Sequence, residues 1–287
     1  SRVYRLLRKG EVRVGGRRVR PEYRLAEGDR VRIPPVRTQS SSQAAAPRSM
    51  RERLQQSILF EDRNLLALDK PAGIAVHGGS GLSLGVIEAL RADRPRESLE
   101  LVHRLDRDTS GCLLVARNRK TLRELHALMR EGGMQKSYLA LVRGNWQLGE
   151  KRIDVPLATH HRRGGERHVR AEAHGKESLS VFRPTQFFGA RATLLEVDIH
   201  TGRTHQIRVH ARFAGHPIAG DEKYGDEEFN KELHAMGLTR LFLHAHSIAF
   251  TWPGSGVPAH FSAPLPAELR LVVDVLQAAA SGRRAGR

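Results

Sequence analysis

Cysteine is all but missing: Cys112 is the single one among 287 residues. That excludes an internal disulfide and a cysteine-based zinc site, and it fits a reducing compartment. Aromatic residues reach only 5%. No run approaches the roughly 18 consecutive apolar residues that a membrane-spanning helix needs. The first ten residues lack the apolar core of a secretory signal. A soluble, cytoplasmic protein without a membrane partner is therefore expected. Lysine is scarce as well. Of 48 Lys and Arg residues only eight are lysine, set against 31 Asp and Glu. The formal charge of +17 thus rests on arginine, whose planar fork grips phosphate at two points. A base-composition bias toward Arg, Ala and Gly also inflates arginine, yet the net charge stands. Nucleic acid is the leading class of partner.

What is present sorts into segments. Hydrophobic residues make up 39%, enough for a sizeable core. Residues 1–37 form a basic island, with twelve Arg or Lys against four acids. Val12 and Val14 alternate with charged residues, Gly15-Gly16 offers a tight turn, and Val19 lies between Arg18 and Arg20. This pattern predicts a hairpin with one apolar and one basic face. Leu6 and Leu7 suggest the end of a helix, and Val31 and Ile33 a closing strand stopped by Pro34-Pro35. So short a unit buries little core, and its beginning is expected to lie outside the chain. Residues 38–53, with Ser40 to Ser42 and Ala44 to Ala46 followed by Pro47, read as a flexible linker.

Residues 54–280 read as one mixed domain. Strands are expected at 58–60, 65–68, 113–116, 138–142, 192–199 and 241–250. Helices are expected at 84–91, 204–213 and 269–276. A further helix carries Leu122, Leu125, Leu128 and Met129, and Gly132-Gly133 stops it. These elements do not alternate strictly and several strands pair as hairpins. The expected class is α+β, a mostly antiparallel mixed sheet flanked by helices. Residues 281–287 read as a disordered tail.

The densest chemistry lies in His103-Arg104-Leu105-Asp106-Arg107-Asp108-Thr109-Ser110-Gly111. An acid between arginines favours its carboxylate form, and such a carboxylate can attack an electrophilic carbon. The same residues could simply cap a turn. Asp106 and Asp108, two apart, could share a metal, but no further acids nearby would complete an oxygen cage. His200, His205 and His210 recur at intervals of five, which suits neither a strand face nor the zinc spacing of a helix. His244 and His246 lack an obvious third ligand. The loop at 77–81 has no Lys-Ser/Thr of a nucleotide-binding loop and reads as RNA-facing backbone. Cys112 reads as a small buried residue.

This segment strongly resembles the signature of the RluA-type pseudouridine synthases. Three others follow in the family's order. Lys136-Ser137-Tyr138-Leu139-Ala140 is similar to its Lys-x-Tyr-x-Ala strand. His200 to His210 contains its Gly-Arg-Thr-His-Gln-Ile-Arg motif, and Leu241-Phe242-Leu243-His244-Ala245 resembles a weaker fourth. The basic island resembles the later half of an S4 RNA-binding domain. Together with residues 69–92 it points to members that isomerise uridines in bacterial large-subunit ribosomal RNA. The resemblance implies Asp106 as nucleophile and Arg208 as its bidentate partner. It implies Arg104 as the side chain that fills the gap left by a flipped-out base; a phosphate contact is the alternative. Tyr138 offers a face for uracil to stack on, or is an ordinary core tyrosine. Leu243 is a wall under the base, or plain packing. Arg203 and Arg107, and Arg13, Arg17 and Arg18 of the island, are further candidates for RNA contact.

The isomerisation breaks N1–C1′ and forms C5–C1′ with no redox change and no atom lost. No cofactor and no metal are expected, and nothing demands more than a monomer. A non-catalytic ribosomal-RNA-binding or ribosome assembly factor on the same fold is the alternative. Asp106, Tyr138 and Arg208 distinguish the two, since a binder has no use for this acid among arginines.

Overall fold

The computed structural model describes residues 2–35, 47–78, 84–161 and 167–282, in two compact units, Ser1–Ala44 and Ala45–Arg287. In the smaller unit, helix α1 (Arg2–Arg8) precedes three short strands, β1 (Arg13–Val14), β2 (Arg17–Arg18) and β3 (Val31–Arg32). Gly15 and Gly16 turn the chain with φ of 55° and 79°, the paired positive values of a two-residue hairpin. Strand β1 is the centre, with Val14 opposite both Arg17 and Val31. Val14 is buried while Arg13, Arg17 and Arg18 are exposed, but the expected apolar and basic faces do not separate, because the register sets Arg17 directly across from Val14 on the same face.

The larger unit begins with α2 (Arg48–Gln56), β4 (Ile58–Glu61), β5 (Leu65–Lys70), α3 (Val86–Asp93), β6 (Glu100–Leu101) and β7 (Ser110–Ala116). Next come α4 (Arg119–Arg130), β8 (Met134–Arg143), β9 (Lys151–Asp154), β10 (Leu157–His161) and β11 (Arg167–Ala171). Strands β12 (Leu179–Phe188) and β13 (Ala192–Ile199) follow, with helices α5 (Gln206–Phe213) and α6 (Glu227–Ala235). Strands β14 (Leu243–Thr251) and β15 (Pro258–Ser262) and helix α7 (Ala267–Gly282) close the chain.

Two expected boundaries need correction. Residues 48–53 are helical rather than linker, because Met50 and Leu54, one helical turn apart, pack on the core; residues 38–46 lie outside the described residues. Ser281 and Gly282 continue α7 rather than starting a tail, carried by the buried stripe Leu269, Val272 and Leu276. Residues 283–287 lie outside the described residues.

Ten strands form one sheet in the order β4-β5-β7-β14-β8-β13-β12-β9, with β6 on β7 and β15 on β14. Among the described residues its pairs are antiparallel except β7–β14, which run parallel through Ser110↔His244 and Gly111↔Ala245. The class is α+β. Alternation is muted because both faces are covered. Leu66, Leu68, Leu113 and Val115 enter one core while Leu65, Ala67, Cys112 and Leu114 enter another, so each strand reads as a continuous apolar run. At the parallel seam Gly111 has φ of 110°. A side chain there would run into the Ala245 carbonyl, so only glycine lets the two strands meet.

Candidate active site

The loop between β6 and β7 carries Asp106, and buried groups hold it on both sides. His103, at its start, accepts the Leu114 N–H at 3.1 Å. Burial drives its imidazole down to about 3, with Lys136 adding to the fall, so it accepts as a neutral ring. Lys70, at the end of β5, is fully buried. Its ammonium donates to the carbonyls of Pro71 (2.8 Å), Ile74 (2.9 Å) and Arg107 (3.1 Å). The Gly73 N–H reaches the same Arg107 carbonyl, and Thr109 N–H closes a turn onto the Asp106 carbonyl. Burial pulls Lys70 down to about 7, opposed by the charges of Asp108 and Asp106. The backbone under Asp106 is therefore fixed before any substrate arrives.

Facing Asp106 is the start of α5. Arg208 Nη1 stands 3.6 Å from Asp106 Oδ2. The expected bidentate pair is corrected here, because the fork is committed elsewhere. Nε and Nη2 of Arg208 donate to the two oxygens of Asp221 at 2.7 and 2.8 Å. Asp221 is wholly buried and also accepts the N–H groups of Lys223 and Tyr224 at 2.9 Å. Burial alone would raise its carboxyl, but the Arg208 bonds and charge and those two amides hold it below the usual carboxylate range. The Tyr224 ring lies 5.0 Å from the Arg208 guanidinium carbon, a cation–π contact.

His205, immediately before α5, completes the wall. Its Nε2 is 3.9 Å from the same Asp106 Oδ2, and its Nδ1 is 2.8 Å from the Tyr224 hydroxyl. Burial lowers its imidazole, Asp106 opposing and Arg208 assisting. Among the described residues it is the one non-glycine at positive φ, 53°. Such a conformation costs about 1–3 kcal/mol and persists where surroundings enforce it.

Strand β8 supplies Tyr138 and the start of β14 supplies Leu243, both buried. Burial, then the Asp106 charge, pushes the Tyr138 phenol well above its ordinary value, so it stays protonated. Its hydroxyl has no hydrogen-bond partner among the described residues. A small cavity of about 80 Å³ is lined by Asp106, Tyr138, Arg208, Leu243, Arg104, Arg203 and His205, among others. Asp106, Tyr138, Arg104 and Arg203 also line a groove of about 810 Å³ that includes Arg107, Arg130 and Lys136.

The expected residues thus converge. Arg104 is exposed and has no ionic partner among the described residues. Arg107 pairs with its neighbour Asp108 at 3.0 Å, and Arg203 donates to the Glu177 carbonyl at 2.9 Å. Arg13, Arg17 and Arg18 belong to the smaller unit, where Arg18 bonds back to the Arg8 carbonyl. The loop at 77–81 lies partly outside the described residues. Cys112 is buried, which raises its thiol to about 12 and leaves it inert.

Sequence reasoning missed Lys70, Asp221, Tyr224 and the place of His205. The glycines flanking Asp221 and Tyr224, Gly220 and Gly225, were the available signal of a built turn. Among the described residues no group of three or more His, Cys, Asp or Glu is disposed to hold a metal ion. None of their helices is long and apolar enough to cross a membrane.

Comparison with known proteins gives the family. The family model for RNA pseudouridylate synthases matches residues 64–213, and that for S4 domains residues 1–31. The ribosomal large subunit pseudouridine synthase C of Salmonella typhi is 52% identical over 285 residues, covering 98% of this chain and 89% of that protein. The protein of the same name from Escherichia coli K12 is 52% identical over 282 residues, covering 96% and 88%. In fold, the chain is similar to human RNA pseudouridylate synthase domain containing 4. That comparison has a TM-score of 0.66 at 24% identity, over 80% of this chain and 96% of that one. By its family match and its identity to these bacterial relatives, the chain belongs to the RNA pseudouridylate synthase family.

Proposed function

We propose that this chain isomerises specific uridines to pseudouridine in large-subunit ribosomal RNA, with Asp106 as the nucleophilic carboxylate. The observation that carries the reading is the setting of Asp106. It lies in a small cavity with Arg208 and His205 facing its Oδ2, and with Tyr138 and Leu243 in the walls. Uridine isomerisation breaks N1–C1′, turns the uracil and joins C5 to C1′, and the hydrogen on C5 leaves as a proton. C5 loses one proton and N1 gains one, so atoms and electrons balance without oxidant or reductant, and a carboxylate together with groups or water that accept and return a proton suffices. Tyr138 serves as the surface on which uracil stacks, worth on the order of 1–3 kcal/mol. Its raised phenol suits donating a proton rather than accepting one. Leu243 packs beneath the base. Arg104, exposed and without an ionic partner among the described residues, enters the gap left by the flipped nucleotide.

Arg107 and Arg203 contact the RNA backbone beside the site. Residues 1–37, with Arg13, Arg17 and Arg18 on the hairpin, bind RNA as an S4-like segment, and residues 48–282 form the catalytic domain. The choice of RNA rests on the names and near-full-length identity of the bacterial relatives. The protein works in the cytoplasm as a monomer. The experiment uses large-subunit ribosomal RNA tritiated at uracil C5, with transfer RNA alongside. Release of tritium by the wild type and none by Asp106→Asn is the expected result. Binding without release from either RNA would leave a non-catalytic RNA-binding protein.

A further inference from the structure

Arg208 is not alone in addressing Asp106: the closest approach of both Arg208 and His205 is to one oxygen, Oδ2. Which nitrogen of His205 carries the proton follows from its other neighbour. The Tyr224 hydroxyl accepts the Val169 N–H at 2.9 Å. It has a single proton, and His205 Nδ1 at 2.8 Å is positioned to take it. Nδ1 then accepts, and in the neutral ring the proton sits on Nε2, the nitrogen nearest Asp106. The Tyr224 backbone N–H is meanwhile bonded to Asp221, and its ring lies against both Arg208 and His205. One tyrosine therefore braces the guanidinium and the imidazole together.

We propose that His205, locked by Tyr224 as the Nε2–H tautomer, is a positioning residue that fixes Asp106 Oδ2 jointly with Arg208, leaving Oδ1 to attack. The inference rests on Asp106 being the nucleophile. Both approaches are longer than a hydrogen bond here, 3.6 and 3.9 Å, and they shorten when substrate closes the cavity, as is common for catalytic contacts. His205 holds this place as the residue before α5, in the left-handed region with φ of 53° and ψ of 22°.

The test uses the full chain and two substitutions. Tyr224→Phe keeps the ring and removes the hydroxyl proton. His205→Gly keeps the positive φ and a tolerated helix cap while removing the imidazole. Each is expected to lower kcat for tritium release on the order of 10- to 100-fold, the weight of one hydrogen bond to a charged group. KM for the RNA should stay within about twofold, because the lost contact matters only at the reacting centre. Nitrogen-15 NMR of the histidines, with His205→Gly identifying the signals, should show an unprotonated Nδ1 and a protonated Nε2. In Tyr224→Phe that preference should relax. A protonated Nδ1 in the wild type would overturn the tautomer, and wild-type kcat in His205→Gly would overturn the positioning role. No tritium release by the wild type would instead overturn the reading of Asp106 on which the inference depends.

Discussion

Arg208 has one edge of its guanidinium bound to Asp221 and the remaining nitrogen turned toward Asp106. The buried acid thus sets the aim, and the half-buried acid receives it. Asp221→Asn is expected to weaken the fold by about 3–5 kcal/mol, since one partner of a buried pair is removed, and to slow isomerisation with it. Asp106→Asn should abolish isomerisation while changing the urea midpoint little, by under about 1 kcal/mol in stability. Parallel loss in both variants would contradict this division of labour. Asp106, Tyr138, Arg208 and Leu243 were legible because short motifs carry them. Asp221 was not, because an acid in Gly220-Asp221-Glu222-Lys223 has no pattern until the fold sets it against Arg208. The place of His205 was not legible either, because Asp106 and Tyr224, which flank its ring, lie far from it in the chain.

Helices and strands show the same split. The apolar runs of β5, β7, β8 and β14 were readable as strands because the sheet buries both faces there. Strand β12 was not, since Pro184 interrupts it at a register shift against β13. Helix α2 escaped because only Met50 and Leu54 anchor it, too few for a visible period. The parallel seam of β7 on β14 is the element on which the site depends, because the Asp106 loop enters one strand and Leu243 begins the other. Gly111→Ala should strain it from both sides, through the positive φ and through the Ala245 carbonyl. A loss of about 2 kcal/mol or more in urea denaturation is expected, with isomerisation falling too. Unchanged stability would mean that the seam yields.

Charge governs the molecule as a whole. With a net +17, RNA affinity should fall steeply with salt through counterion release, and Arg17→Ala should reduce the log–log slope by about one. An unaltered slope would place the hairpin off the RNA. Acid should act through buried and half-buried histidines. His103 and His244 are driven down by burial to about 3 and about 4, and burial lowers His205 and His210 as well. Each takes up its proton more readily unfolded than folded. Their contribution is complete above about 6.5 and is lost as pH falls toward about 3. Asp69, raised to about 6 by burial, opposes this as one group against four. The melting temperature should therefore decline over that interval, and a flat profile would argue against the burial of these rings. Finally, Ser110 and His244, which meet across the parallel seam, are 134 residues apart in the chain. Contacts so distant carry a loop-closure cost and slow folding. At about 5–20 residues per second of synthesis, roughly 7–27 s separate the appearance of Asp106 from that of Leu243. Throughout that interval the nascent chain already carries its basic S4-like segment but has no finished cavity.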